Sequence, residues 1–477
     1  MPTRNQFFQK FEYEVQDELG VDGTPATWAQ GGSKSAQRYW GDEDFKIDVP
    51  RSGDLPGRSS VSTMGLDQEY IAVAGGNLIT IIHVHSKEIR SQIRGPLEDC
   101  HKLVFFPSSN AAGNEYTLIS GSSEVGGGEG MIVVWKLDHS GRLSDGEFGL
   151  PIPSSQLATR SLDAITPELA QNHGIPQSSP LLAALLADYT KALEKLDSDL
   201  LVSSLDSFRG KIFSFNSQPS SPDGKTFLYG MQDKSTQHGA RPSEDLPRII
   251  VRDMTTRKQT QALVGHEDSI MWVAFSPDGK TIASACWDQT FKLWDASTGI
   301  CEHTIGPIGS QCWSGAWSSD SRHVILSGMG HNGPSVAVYS RDTGEEDVRL
   351  EHEGLKRWIR DIAWSANGDV ALAHETDVLI WQPFGGGIVA TFSLKNETPH
   401  ARIFAAVNQV HWLNDHLLGF VVGDGTVEIW DSRDNLKWRL QRSKDGPRRF
   451  CTGLHYAEAT NTVISLDRDD CLRFYDL

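Results

Sequence analysis

Residues 264–296, VGHEDSIMWVAFSPDGKTIASACWDQTFKLWDA, break into three short apolar runs, MWVAF, TIASA and FKLW, separated by turn signals. In SPDG the proline presets one backbone angle, the aspartate bonds within its own turn and the glycine tolerates the reversed conformation, so the first two runs fold back on each other. CWDQ makes the second reversal, and a fourth run, CEHTI at 301–305, follows an STG turn. Four antiparallel strands this short cannot bury both faces alone. A unit of about 40 to 45 residues built this way is a propeller blade, stable only when stacked against neighbours.

The unit recurs along the chain. Third-strand runs read ITIIHV, MIVVWKL, IIVRDM, FKLWDA, VAVYSR, VLIWQP, VEIWDS and LRFYDL, with bulky markers at His83, Trp135, Arg252, Trp294, Tyr339, Trp381, Trp430 and Tyr475. From Arg252 onward these markers lie 42, 45, 42, 49 and 45 residues apart, one blade per interval. First-strand runs give the same eight independently: VSTMGL, KLVFFP, KIFSFN, WVAFSP, SGAWSS, RDIAWS, QVHWLN and TGLHYA. With Gly265-His266, SPDG, Asp288 and Trp294-Asp295 present in one unit, and Asp424 and Trp430-Asp431 kept in the seventh, the chain resembles the WD-repeat propeller family from about Phe45 onward. The expected fold is all-β, a single closed propeller of eight four-stranded blades. Seven, the usual number in the resembling family, is the alternative and requires the first unit not to be a blade. The last unit stops after its third strand, which would leave an open sheet edge. The alternating run FKIDV at 45–49 is the expected closing strand, giving a propeller over 45–477 behind an N-terminal arm at 1–44.

Trp135 and Arg252 are 117 residues apart, too far for one blade. Between them Ser179-Pro180 precedes an apolar stripe at Leu181, Leu182, Leu185, Leu186, Tyr189, Leu193 and Leu196. A serine cap, a first-turn proline and that spacing predict a helix within an insertion at about 140–200. Its apolar face would pack on neighbouring blades or receive a partner. In the arm, Phe7, Phe11, Val15 and Leu19 share one helical face and Trp28 and Trp40 follow, which is too aromatic for a disordered tail.

Forty-four basic against 62 acidic residues leave a formal charge of −18. Phosphate-backbone binding leaves a basic footprint, so direct nucleic-acid binding is disfavoured and a basic protein partner is easier to accommodate. No apolar run of about 18 residues offers a membrane span and the start lacks a secretory apolar core, so a cytoplasmic or nuclear protein is expected. Six scattered cysteines form no CxxC pair, and HExxH and EF-hand patterns are absent. No disulfide, metal or cofactor is expected. GKT occurs at 224–226 and 279–281, but Pro219 and Ala274 stand where a phosphate loop needs glycine, and both copies belong to SPDGKT turns of the repeat.

His266, Ser284 and Asp288 are the residue types of a catalytic triad. The resemblance implies instead that these three and Trp294 form a structural hydrogen-bond chain inside a blade, and no G-x-S-x-G elbow supports the enzymatic reading. DASTG at 295–299 and DTG at 342–344 match part of the tryptophan-docking signature of quinone-dependent propeller enzymes, without its closing tryptophan. The expected function is a non-enzymatic scaffold that binds peptide segments or partner proteins on the propeller face. Trp272, Trp287, Trp313, Trp358 and Arg360 are the candidate partner-binding residues, because tryptophan and arginine bury large areas while keeping polar donors. One alternative is a chromatin or basic-tail reader, which requires an acidic mouth. The other is the quinone-dependent enzyme.

Overall fold

The computed structural model describes residues 37–52, 60–94, 100–106, 115–122, 130–143, 206–213, 216–231, 246–309, 311–330, 333–352, 355, 359–393, 406–423, 427–434, 436–441 and 451–476. The eight units form eight antiparallel sheets, with strands following chain order from the inside outward in the first seven. Eight separate apolar clusters fill the eight seams between adjacent sheets. One of them joins Ile71, Val73 and Ile82 of blade one to Ile464, Leu466, Leu472 and Phe474 of blade eight, which closes the ring. The protein is an all-β, eight-bladed propeller.

The first unit is a complete blade, Val61–Met64, Tyr70–Gly75, Leu78–His83 and Glu88–Arg94, so the seven-bladed alternative fails. Its marker is displaced by one residue. The pairing shift that falls at Leu293/Trp294 in blade four falls at Ile81/Ile82 in blade one, so Ile82, fully buried, stands where Trp294 does, and His83 is half-exposed. Blade three has three regular strands, Thr226–Met231, Arg248–Asp253 and Lys258–Val264. Its inner position is taken by residues 211–213 and 216–221 through single pairings, Lys211 with Gly230 and Ser220 with Phe227. In blade two Asp206–Arg209 pairs with Met131–Asp138, so residues 144–205 connect the third and fourth strands. The helix expected at 181–196 lies outside the described residues, as do residues 1–36 of the arm and the loop at 123–129.

Chain segments near the N-terminus complete the wall. Gln37–Asp42 lies parallel to Leu436–Gln441 as a fifth strand on blade seven. Two residues later Phe45–Asp48 pairs antiparallel with Cys471–Asp476 as the fourth strand of blade eight. Glu43, between them, pairs with Arg473 at 3.0 Å, and Arg473 also binds the buried Asp467 at 2.7 Å.

An innermost strand has no strand beyond it, so its edge N–H groups must find other acceptors. Side chains of the preceding blade supply them. Phe105, Val273 and Val410 donate their N–H groups to Thr63 Oγ1, Ser217 Oγ and Asp361 Oδ2 at 3.3, 3.2 and 3.0 Å. Indole groups stitch the opposite way, Trp317 Nε1 to the Ala274 carbonyl and Trp412 Nε1 to the Ala363 carbonyl, both at 3.3 Å. Polar side chains on these strands therefore hold neighbouring blades in register around the channel.

Candidate functional site

Innermost strands of successive blades run in the same direction, so their first residues gather at one mouth of the channel. There the pairing with the second strand slips by one residue in blade after blade. Met271, Trp313, Asn408 and Thr452 are each skipped in the register of blades four, five, seven and eight. In blade six the Arg360 N–H donates to the Ala373 carbonyl at 2.9 Å although Ala373 is already the partner of Asp361. His101 does the same beside Lys102 at Gly121 in blade two. A bulge bends the strand and re-aims the extra side chain out of the sheet. The result is a ring of six half-buried residues, His101, Met271, Trp313, Arg360, Asn408 and Thr452, one from each of six blades.

Two pairings organise this ring. Trp287, in the turn after Thr281–Cys286, meets Trp313 edge to face, with centroids 5.4 Å apart, and its buried Nε1 has no acceptor among the described residues. Arg360 Nη1 donates to Asn408 Oδ1 at 3.1 Å, joining adjacent bulges. An aromatic pair thus stands on blades four and five and a cation with an amide on blades six and seven.

Trp272 does not belong to this surface. It follows the bulge by one residue, and one residue of slip sends a side chain to the other face of a strand. It is 1% exposed, in the seam with blade five, where its ring comes within 3.0 Å of where a Cβ on Gly315 would sit. Its removal would open a core cavity rather than erase a contact site. Trp358 lies outside the described residues.

In blade four Gly265, at φ +148°, turns the chain so that His266 enters the sheet's interior. Trp294 Nε1 donates to Ser284 Oγ at 2.9 Å, Ser284 meets His266 Nε2 at 2.8 Å, and His266 Nδ1 meets Asp288 Oδ2 at 2.7 Å. A neutral imidazole protonated at Nδ1 satisfies every member of the chain. Burial pushes the His266 pKa down, against the pull of Asp288. Burial works to raise Asp288, but the hydrogen bonds it accepts from His266, Thr290 and the Glu267 N–H outweigh this and hold its pKa well below the usual carboxylate range. Ser284 and His266 are 0% and 1% exposed, so no substrate reaches the hydroxyl in this arrangement. Blade two retains half the chain, Trp135 Nε1 to Ser120 Oγ at 2.8 Å.

Cys286 brings its thiol near the same histidine and aspartate, ligand atoms lying within 4.8 Å of one another. Burial pushes this thiol up and holds it protonated, its Sγ donates to the Asp268 carbonyl at 3.0 Å, and both His266 nitrogens are engaged. A metal ion would have to break these bonds and ionise the thiol. Asp288→Ala strands the His266 and Thr290 donors, and we expect a loss of about 1–3 kcal/mol in denaturant unfolding. An unchanged midpoint would contradict the structural assignment.

The described sequence and geometry match known proteins. A model of the "WD domain, G-beta repeat" family matches residues 257–295. The chain is 25% identical over 230 residues to Periodic tryptophan protein 2 homolog of Schizosaccharomyces pombe, covering 43% of this chain and 26% of that one. It is 25% identical over 150 residues to Ribosome biogenesis protein WDR12 homolog of Nematostella vectensis, covering 30% and 35%. To Histone transcription regulator slm9 of S. pombe it is 26% identical over 26% of this chain and 17% of the relative. The chain thus spans about a third or less of the length of these curated relatives. A computationally designed protein, Ika8, superposes with a TM-score of 0.54 over 89% of this chain and 98% of its own, at 14% identity, a likeness of fold alone. The blade period, the internal hydrogen-bond chain and the matching repeat at 257–295 are those of the WD-repeat β-propellers, which this chain resembles.

Proposed function

We propose that the protein is a non-enzymatic interaction scaffold whose channel mouth binds peptide segments or loops of partner proteins. The observation that carries this reading is the bulge ring: six blades place a bulged residue at one mouth, with the pair Trp287–Trp313 on blades four and five and the pair Arg360–Asn408 on blades six and seven. Rigid blades beneath a variable rim can recognise a partner without performing chemistry. The relatives' printed names, a ribosome biogenesis protein and a histone transcription regulator, suit a nuclear or cytoplasmic assembly role. Among the described residues no helix is long and apolar enough to cross a membrane. The basic-tail reading draws on the turns beside the ring, where Asp268 and Glu375 stand, and not on the ring itself. No described ring member is a carboxylate, and the permanently charged one is Arg360.

The pair Trp313→Ala with Arg360→Ala tests the reading. Both side chains are half-buried rim residues, so the thermal midpoint should hold while affinity for a captured partner falls on the order of tenfold or more. Unchanged binding by a folded double variant would move the site elsewhere.

A further inference from the structure

Among the described residues, blade seven differs from the other seven in having a strand added outside its own four. In the other blades the described outermost strand is largely exposed: Lys258–Val264 of blade three and Glu346–Arg349 of blade five each bury one residue at most, and Phe45–Asp48 of blade eight buries none. The corresponding strand of blade seven is different, with Lys437, Arg439 and Leu440 buried at 0%, 9% and 4% exposure. Gln37–Asp42 runs along it in parallel for six residues, from Gln37 opposite Leu436 to Asp42 opposite Gln441. This strand is not needed to close the ring. Blade seven has its own four strands, and Phe45–Asp48 closes blade eight.

Parallel pairing is slightly weaker per residue than antiparallel, and an added edge strand is held from one side only. The anchor of this one lies beyond its C-terminal end. Glu43 is bound to Arg473, and the Asp44 carboxylate accepts the Asp476 N–H at 2.6 Å. Release of these six residues would therefore leave the closing strand of blade eight paired.

We propose that the outer edge of Leu436–Gln441 is a second binding site, distinct from the channel mouth, which accepts an extended peptide as a parallel strand and is occupied in cis by Gln37–Asp42. Main-chain hydrogen bonds supply the affinity, as in other cases of strand addition. The two-residue tether to Phe45–Asp48 gives the cis strand a high effective concentration, so it acts as an intramolecular competitor.

The test uses the full-length chain carrying Tyr39→Pro and Trp40→Pro. Adjacent residues point their N–H groups to opposite sides, so whichever faces the edge loses its donor. Hydrogen exchange should then speed up at 436–441 while 45–48 and 471–476 keep their protection. A fluorescein-labelled peptide with the sequence of residues 34–44 should bind this variant saturably, restore protection at 436–441, and bind wild type at least tenfold more weakly. No peptide binding to the folded variant, or equal binding to wild type, overturns the proposal. If the variant does not fold, native-state exchange on wild type decides. Opening of 436–441 at a lower free energy than 471–476 supports exchange, and equal protection makes the added strand a fixed part of the wall and overturns it.

Discussion

A chain lacking residues 1–50 fails to close its ring. The deletion strips the fourth strand from blade eight, removes Glu43 from Arg473 and takes Val49 out of the seam between blades eight and one. Arg473, 6% exposed, keeps Asp467 and Asp469 but loses its third carboxylate. Each lost charge-assisted hydrogen bond costs about 1.5–3 kcal/mol, and the four lost strand residues add to it, for a total on the order of 5 kcal/mol. That is comparable to the whole stability of many domains. The bared edge of Cys471–Asp476 is also a template for pairing with another chain. Light scattering should show association, and the cooperative thermal transition should broaden or disappear. A monomer that melts like the intact protein would refute the closing role of this strand.

Glu428→Ala should be the most damaging single substitution in the wall. Glu428 is fully buried, accepts from Arg439 Nε at 2.9 Å and pairs with Lys437, whose ammonium is also fully buried, 4.9 Å and 5.1 Å from the ring centres of Phe392 and Phe420. Burial alone would raise the Glu428 pKa, but the charges of Lys437 and Arg439 overcome it and hold the carboxyl below its ordinary value. Removing this carboxylate takes the buried counter-charge away from a desolvated ammonium, at a cost of about 3–5 kcal/mol in chemical denaturation. The double change Glu428→Leu with Lys437→Met should recover part of the loss, that of the buried ammonium, since an apolar pair of similar volume avoids its desolvation penalty while Arg439 still loses the carboxylate it binds. A depressed carboxylate also fixes the sign of the pH effect. Its stabilisation is complete above the unfolded carboxyl value, near 4.5, and is lost as pH falls through the lower folded value. The acid slope of the wild-type stability curve should flatten in the double variant.

The blade count was legible because each blade writes its strands as separate apolar runs between Pro, Gly and Asp turns, and both the first-strand and third-strand tallies reached eight. The chain of Trp294, Ser284, His266 and Asp288 was legible as residue types at fixed offsets. The mouth was read less well, because a bulge is an insertion in pairing that one strand's sequence does not display. Trp272 and Met271 are adjacent letters, and the slip decides which of them leaves the sheet. A signal was nevertheless present. His101, Met271, Trp313, Arg360, Asn408 and Thr452 each stand four positions before the aromatic at Phe105, Phe275, Trp317, Trp364, Trp412 and Tyr456. Aligning the first strands on that aromatic brings the ring into one column. The same kind of slip moved the blade-one marker from His83 to Ile82. The added strand at Gln37–Asp42 carried no comparable sign, since nothing in QRYWGD names the distant edge it joins.

The recognition account rests on one face of the propeller, and photocrosslinking compares the two faces directly. A benzophenone amino acid is placed at Trp313, in the mouth, in one protein, and in another at Phe384, 58% exposed in the third-to-fourth-strand turn of blade six on the opposite face. Both sites already hold an aromatic ring, so the substitutions disturb packing little. Irradiation in cells should give discrete protein adducts from position 313 and none in common from position 384. Adducts from 384 with none from 313 would contradict the channel mouth as the recognition surface.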